Sequence, residues 1–348
     1  MAVTADGITG VEPKQLESFR RELTGYCYRM LGSAAEAEDA VQDTLLRAWQ
    51  AADRFEGRSS VRSWLYRIAT NVCLDMLRGR IRRARPMEMG PATPPDPVHL
   101  ANLLPEHSWV SPVADSRVVP AEGDPAEIAV ERESIRLAFV TALQHLPPRQ
   151  RATLILCEVL RWQAAEVATL LDTSVAAVNS SLQRARATLA GIREQDRPQQ
   201  PDTGDHHELL ARYVDAFERY DMTALVGLLH ADAIQSMPPF AMWLRGTKDI
   251  VAWMLGPGAE CEGSRLLTVA ANGGPAYGQY RRDPAGGHAP WALTVVEVTG
   301  DRISGLHTFL DAAGMFPAFG LPPRLPAISS AETGPATTGP ATTGSAGG

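Results

Sequence analysis

The 348-residue sequence has few cysteines and no long apolar run. Its four cysteines lie far apart and lack the CxxC or Cys/His spacing of a disulfide framework or a structural zinc site. No apolar stretch approaches the roughly 18 residues that a membrane span needs, and the N-terminus lacks the basic and apolar segments of a signal peptide. The sequence therefore predicts a cytoplasmic protein with no metal site, no cofactor site and no membrane association.

The charge of the chain is unevenly distributed, although the net value is only −7. Residues 47–85 hold ten arginines against three acidic residues, whereas residues 1–46 hold four basic and eight acidic residues. An acidic stretch followed directly by a basic one predicts two partner surfaces, the basic one suited to phosphates. Nucleic acid is therefore a candidate partner despite the negative total.

The first two-thirds of the chain show helical periodicity on either side of a proline-rich stretch. Apolar residues recur at helical spacing in residues 15–85 and 128–193, which predicts two all-helical domains. Residues 86–127 contain nine prolines, so we expect a linker there. Within it, the apolar island 103–110 is either a docking point or a tryptophan that covers a neighbouring surface.

The last third of the chain differs in composition. After a polar linker at 194–205, residues 206–322 begin with two helical segments and continue as alternating strands separated by glycine turns. This order predicts an α+β domain with a curved antiparallel sheet folded over helices. Residues 323–348 have low complexity, and we expect them to be disordered.

The segment Gln163 to Leu189 predicts a helix-turn-helix. A first helix ends near Leu171, a short turn follows, and a second helix starts with Thr173 or Ser174 as its cap. No acidic residue lies between Ser174 and Arg193, so the second helix does not repel a phosphate backbone. Its exposed face is expected to contact DNA bases and phosphates through Ser174, Asn179, Ser180, Gln183, Arg184 and Arg186.

The chain resembles the extracytoplasmic-function sigma factors of bacterial RNA polymerase in two separate segments. Region 4 of that family is matched by LQHLPPRQRATLILCEVLRWQAAEVATLLDTSVAAVNSSLQRARATL. Region 2 is matched by AEDAVQDTLLRAWQAADRFEGRSSVRSWLYRIATNVCLDMLRGR. The resemblance implies a region 2 helical bundle and a region 4 helix-turn-helix, with core polymerase and promoter DNA as partners.

The resemblance also implies a role for particular region 2 residues. The helix before the basic stretch would bind core polymerase through Asp39, Gln42, Asp43 and Leu46, while Val41, Leu45 and Trp49 belong to the core. The basic stretch would open the minus-ten element, because trading base stacking for protein contacts needs aromatic and basic groups. The residues expected to do so are Phe55, Arg58, Ser59, Arg62, Tyr66, Arg67, Asn71 and Arg78.

The last domain contains the segments YVDAFERYDMTALVGLLHADAIQSMPP, WLRGTKDIVAWML and RISGLHTFLDAAGMFPAFGLP. In these it resembles the SnoaL-like domains, cone-shaped α+β barrels that also serve as cyclases and isomerases. The resemblance implies regulation in cis, with a candidate ligand pocket lined by Trp243, Tyr280, Trp291 and His307. Two alternatives stay open: an active isomerase or cyclase fused to a DNA-binding module, and an activator that only carries a helix-turn-helix. The activator leaves the basic and aromatic residues of region 2 without a role, and no catalytic pair is evident.

Overall fold

The computed structural model describes residues 13–57, 59–101, 103–195, 206–310 and 314–327. Within these ranges, no helix is both long and apolar enough to cross a lipid bilayer.

The first domain consists of four helices whose ends have identifiable signals. Gly32 adopts a left-handed φ of 70° and ends the second helix, and the Ser33 hydroxyl caps the third by accepting from the Glu36 amide at 3.3 Å. The Ser60 hydroxyl caps the fourth in the same way. The helices are Pro13–Ser18 (α1), Arg20–Leu31 (α2), Ala34–Gln50 (α3) and Val61–Met76 (α4).

The proline-rich stretch folds along the surface of its neighbours instead of forming an open linker. Its prolines limit it to short elements, but Trp109, Val110 and Val113 are at most 4% exposed. In the apolar island, Trp109 is packed while Leu103 is 67% exposed. The helices of this stretch are Pro86–Met89 (α5), Asp115–Val118 (α6) and Pro125–Glu133 (α7).

The second helical domain contains the expected helix-turn-helix. A π-helical turn at Ile155–Val159 extends the second of its helices before the chain reverses. The helices are Leu137–Gln144 (α8), Pro148–Leu154 (α9), Ala164–Leu170 (α10) and Val175–Gln195 (α11). The linker predicted at 194–205 starts later than expected, since residues 194 and 195 belong to α11, and residues 196–205 lie outside the described part of the chain.

The third domain packs three helices against one sheet. The helices are His207–Glu218 (α12), Met222–Leu228 (α13) and Thr247–Leu255 (α14). The strands are Leu229–Ser236 (β1), Trp243–Arg245 (β2), Arg265–Ala271 (β3), Gly274–Arg282 (β4), His288–Thr299 (β5) and Arg302–Leu310 (β6).

The sheet is mixed, which corrects the expectation of an antiparallel one. Its strand order is β2-β1-β6-β5-β4-β3, and β1 runs parallel to β6 while the other neighbours are antiparallel. A crossover through β2 and α14 brings β1 beside the last strand, which local periodicity does not reveal. Register shifts in β1, β4 and β5 bend the sheet around α12 and α13.

The buried apolar residues join the domains. One core runs from the first helical domain through the proline-rich stretch into the second, and it includes Ala271 and Phe309 of the sheet. A second core lies between the sheet and the helices of the third domain.

The expected fold class is confirmed: two helical domains are followed by an α+β domain. The predicted tail is partly placed, since the Leu325 and His288 backbones pair at 2.9 Å, and residues 328–348 are outside the described ranges.

Candidate nucleic-acid and polymerase interfaces

The helix-turn-helix has the geometry that its sequence predicts. Asp172 occupies the turn with a left-handed φ of 51°, a conformation that aspartate tolerates better than most residues. The Ser174 hydroxyl caps α11 by accepting from the Ala177 amide at 3.2 Å. Val167 and Val178 are fully buried where α10 and α11 cross. This packing fixes the direction in which α11 projects.

The outward face of α11 is open to a partner. Arg186 forms an ion pair with Glu158 of the π-helical turn, which holds its guanidinium at the side of the helix. All six residues predicted to contact DNA are exposed, namely Ser174, Asn179, Ser180, Gln183, Arg184 and Arg186. The arrangement presents amides, hydroxyls and guanidinium groups together, as direct reading of base edges requires.

The predicted strand-opening residues of the first domain are split into an exposed and a covered set. Ser59, Arg67, Asn71 and Arg78 are exposed. Arg78 pairs with Asp75 at 2.9 Å and keeps 82% of its side chain accessible. Arg58 lies outside the described residues. Phe55 is half-buried, and its ring packs on Trp64 with centroids 4.8 Å apart.

The covered set consists of Arg62 and Tyr66, which face the second helical domain. Tyr66 is fully buried, and its ring lies 5.0 Å from that of Trp162. The Arg62 guanidinium lies 5.3 Å from the Trp162 ring, and it also pairs with Glu22 at 3.1 Å. Burial raises the pKa of the Tyr66 hydroxyl. Tyr66 therefore cannot meet a nucleic-acid base while Trp162 stays in this position, whereas 42% of the Arg62 side chain remains accessible.

Helix α3 presents a separate acidic and apolar surface. Asp39, Gln42 and Leu46 are exposed, whereas Asp43 is half-buried and forms an ion pair with Arg47 at 2.8 Å. Trp49, expected in the core, is 59% exposed and extends this surface by one helical turn. An exposed leucine and tryptophan beside carboxylates fit a protein partner.

Two family models match the helical domains. The Sigma-70 region 2 model covers residues 16–83, and the Sigma-70 region 4 model covers residues 136–189. SigG of Mycobacterium tuberculosis, an ECF RNA polymerase sigma factor, is 47% identical over 326 residues, which are 92% of this chain and 86% of that protein. The chain belongs to the ECF sigma factors of RNA polymerase.

A second sigma factor of Mycobacterium tuberculosis, SigJ, is 29% identical over 258 residues, or 71% of this chain and 73% of that protein. The crystal structure of SigJ superposes with a TM-score of 0.56 at 24% identity, covering 89% of this chain and 100% of that one. This likeness concerns the fold, and it extends through the third domain of the sigma factor.

Regions 2 and 4 of this sigma factor are in direct contact. Arg151 of α9 is 4% exposed, and its guanidinium donates to the Met30 carbonyl of region 2. The same group donates to the Gln144 side chain at 2.6 Å and to the Gln144 and Leu146 carbonyls. Burial lowers the pKa of Arg151 to about 10, which leaves the guanidinium charged at neutral pH. A buried cation thus joins the two regions.

Arg29 of region 2 makes a second such connection. It is 1% exposed, forms an ion pair with Glu131 of α7, and donates to the Ser134 hydroxyl at 2.6 Å. Because α7 leads directly into region 4, this contact fixes the start of region 4 on region 2. A buried arginine that loses such partners is strongly destabilising.

The turn between β3 and β4 reaches into the junction of the two regions. Asn272 is 2% exposed, and its amide donates to the Tyr28 hydroxyl at 2.7 Å and to the Ile135 carbonyl at 2.8 Å. Its side-chain oxygen accepts from the Val113 amide at 3.1 Å. One side chain of the third domain therefore binds region 2, the proline-rich stretch and region 4.

The residue after Asn272 has to be glycine for the same junction to form. Gly273 has a φ of 72°, and a Cβ there would lie 2.2 Å from the Arg132 carbonyl oxygen. Its amide donates to the Asp115 carboxylate at 2.8 Å. Both residues of the turn are left-handed, as an Asn-Gly hairpin favours.

The four predicted pocket residues of the third domain do not come together. Trp291 lines the cavity between the sheet and its helices. Tyr280 packs against Phe316 and donates to the Pro322 carbonyl, and the Trp243 indole donates to the Gly90 carbonyl of the proline-rich stretch. His307 lies at the boundary with region 2 and the linker. The four side chains come from four strands, β2, β4, β5 and β6, and Trp291 sits at a bulge that interrupts the alternation of faces along β5.

His307 belongs to a buried polar group that sequence reasoning missed. Its Nδ1 lies 2.9 Å from the Ser236 hydroxyl, and its Nε2 lies 3.3 Å from the Glu297 carboxylate. Burial opposes ionisation of Glu297, but His307, Arg85 and Arg136 outweigh burial and lower its pKa to about 2. The adjoining cavity measures only about 10 Å³.

Other residues that sequence reasoning missed are those that join domains. Arg29, Arg151, Trp162 and Asn272 follow ordinary helical or turn patterns, and their partners lie far away in the chain. A weak signal exists for Arg29 and Arg151, since each charged residue interrupts an otherwise apolar helix face.

Proposed function

We propose that this protein is a promoter-recognition subunit of RNA polymerase that its own C-terminal domain holds in a closed state. Family membership supports binding to core polymerase and to promoter DNA in the cytoplasm. The exposed face of α3 is the proposed polymerase contact, α11 reads the upstream duplex, and region 2 opens the downstream element.

The closed state cannot occupy both promoter elements. Minus-ten and minus-thirty-five elements are about 25 base pairs apart, which is about 85 Å along B-form DNA. Here the rings of Tyr66 in region 2 and Trp162 in region 4 are 5.0 Å apart. Initiation therefore requires the two regions to separate, which also uncovers Tyr66.

The proline-rich stretch has the length for this separation but is fastened to the C-terminal domain. The 42 residues 86–127 could extend to about 140 Å. In the closed state the Thr93 amide donates to the Trp243 carbonyl at 2.9 Å, and the Leu104 amide donates to the Pro239 carbonyl at 3.0 Å. The C-terminal domain thus shortens the reach of the linker.

The contacts of Asn272 carry this proposal. Its side chain binds three segments that have to move apart, and a buried hydrogen bond to each contributes about 1 kcal/mol. The C-terminal domain consequently acts as a clamp, a term used below for its contacts with region 2, the linker and region 4.

An enzymatic role for the C-terminal domain is less well supported. The Ser236, His307 and Glu297 group resembles a hydrolytic triad, but the cavity of about 10 Å³ beside it admits no substrate. The larger cavity of this domain lies between the sheet and the helices, and Glu260 is the carboxylate among its described lining residues. Glu260 is 83% exposed and paired with Arg281 at 3.0 Å. A general base for an isomerase needs apolar surroundings instead. We therefore propose regulation as the domain's role.

The test is run-off transcription with core polymerase and the Asn272→Gly variant. Glycine keeps the left-handed turn and removes the three side-chain hydrogen bonds. We expect several-fold more transcript than with the unchanged protein, because the closed state loses stability. The control is Asp301→Gly in the exposed turn between β5 and β6, where 91% of the side chain is accessible. Equal transcript from all three proteins would contradict the clamp.

A further inference from the structure

The C-terminal domain encloses a cavity between its sheet and its helices. The cavity has a volume of about 180 Å³. Apolar side chains of the helices and the sheet form much of its wall, among them Phe217, Ile250 and Leu306. Trp291 and Arg281 stand at its edge, where the Arg281 guanidinium stacks on the Trp291 ring at 3.6 Å. The cavity is therefore mainly apolar, with its charged groups at one end.

Two polar atoms facing this cavity have no hydrogen-bond partner among the described residues. They are Oε1 of Gln235 and Nε of Arg281. Gln235 is only 6% exposed, and the other end of its amide meets the Met237 thioether at 3.8 Å, which is a weak acceptor. A buried amide without partners costs about 1–3 kcal/mol. Other polar side chains of the wall do have partners: Thr294 bonds Thr308 at 3.2 Å, and Gln279 bonds Ser264 at 3.0 Å.

The size of the cavity limits the ligand. An engineered protein cavity of about 150 Å³ binds benzene, so a volume of about 180 Å³ holds one six-membered ring with a small substituent. A fused four-ring molecule does not fit. The unpartnered Gln235 oxygen can accept a hydrogen bond from a hydroxyl or amine group on that ring.

We propose that this cavity binds a single-ring, mainly apolar molecule that carries a hydroxyl group donating to Gln235. Leu100, from the proline-rich linker between regions 2 and 4, also lines the cavity. The ligand therefore contacts both the C-terminal domain and the segment that has to be released for the two regions to separate. The regulatory consequence rests on the proposed clamp, whereas binding itself does not.

Phenol and toluene are the matched probes, because they differ only in a hydroxyl or a methyl group. With the full-length protein, we expect phenol to bind about 3- to 10-fold more tightly than toluene, by ligand-detected NMR titration. This comparison uses only the unchanged protein. Equal affinity for phenol and toluene, or no saturable phenol binding, would overturn the proposal.

Two variants then locate the site. Gln235→Leu keeps the volume and removes the acceptor, so we expect the preference for phenol over toluene to disappear. Leu306→Phe fills the cavity and is expected to abolish the binding of both probes. The matched control is Gln15→Leu at an exposed position of α1. Phenol binding that survives both variants unchanged would place the site elsewhere and refute the assignment.

The outcomes separate this proposal from the clamp. Binding is read without polymerase, and run-off transcription of the Asn272→Gly variant is read without ligand. Phenol binding with no transcriptional effect of Asn272→Gly would support the site and contradict the clamp, and the reverse result would contradict only the site.

Discussion

The two DNA-binding regions of the molecule differ in how much of their surface is free. The recognition helix α11 exposes all six of its predicted contact residues, whereas region 2 has Tyr66 fully buried and Arg62 held against Trp162 of region 4. Under the proposed clamp, we expect the closed state to leave duplex binding by α11 free while Tyr66 is withheld from unpaired bases. The clamp would then control strand opening more than duplex binding.

The largest expected effect comes from breaking the contact between the two regions. Arg151→Met leaves the Met30, Gln144 and Leu146 carbonyls unpaired, and we expect the free energy of unfolding to fall by about 4 kcal/mol. Urea denaturation measures this loss. Arg149→Met, on an exposed face of the same helix, is the control and is expected to change stability little. Similar losses in both variants would show that the contact is unimportant.

The contact of Glu297 in the C-terminal domain with Arg85, at the end of region 2, should depend on pH. The pKa of Glu297 falls from 4.5 to about 2 on folding, so its ionised form contributes stability above pH 4.5 that is lost as the pH falls towards 2. We expect Glu297→Gln to cost about 3 kcal/mol at pH 7 and progressively less as the pH drops below 4.5. Urea denaturation between pH 7 and pH 3.5 measures this difference.

The control for this prediction is Glu260→Gln, because that carboxylate is 83% exposed. It is expected to leave stability unchanged across the same range. If the free energy of unfolding differs by the same amount between the unchanged protein and Glu297→Gln at every pH, the charge of Glu297 is not what stabilises the junction.

The smallest expected effect tests the difference between regions 2 and 4 most directly. Trp162→Leu removes the ring over Arg62 and Tyr66, and we expect single-stranded DNA to bind about 3- to 10-fold more tightly while duplex binding stays the same. Arg184→Ala should do the opposite and weaken duplex binding about 10-fold. Fluorescence anisotropy with both forms of DNA measures the pair. If each variant changes the affinity for single-stranded DNA and the affinity for duplex DNA by the same factor, regions 2 and 4 do not bind the two forms of DNA separately.

The sequence predicted the elements whose signals are local. The turn at Asp172 and the cap at Ser174 depend on a few neighbouring residues, so their positions could be inferred. The exposed face of α11 follows from the same periodicity. The burial of Tyr66 could not be inferred, because the surface that covers it comes from a tryptophan 96 positions later in the chain.

The packing of the linker and the positions of the four pocket residues could not be inferred, for a related reason. Nine prolines correctly exclude long helices, but they do not show that Val113 pairs with Asn272, 159 positions away. In the sheet, Trp291 and Tyr280 lie on neighbouring strands, and a bulge that leaves Trp291 without a pairing partner on β4 decides which face its side chain takes. The positions of bulges depend on tertiary packing, which residue alternation alone does not encode.

The position of the Asn272–Gly273 turn in the chain has a consequence for newly made protein. Translation proceeds from the N-terminus at roughly 5–20 residues per second, and domains fold as they emerge. Both DNA-binding regions are complete once α11 ends at Gln195, nearly 80 residues before the turn is synthesised. We therefore expect each nascent molecule to pass several seconds with both helical regions complete and the turn of the proposed clamp not yet synthesised.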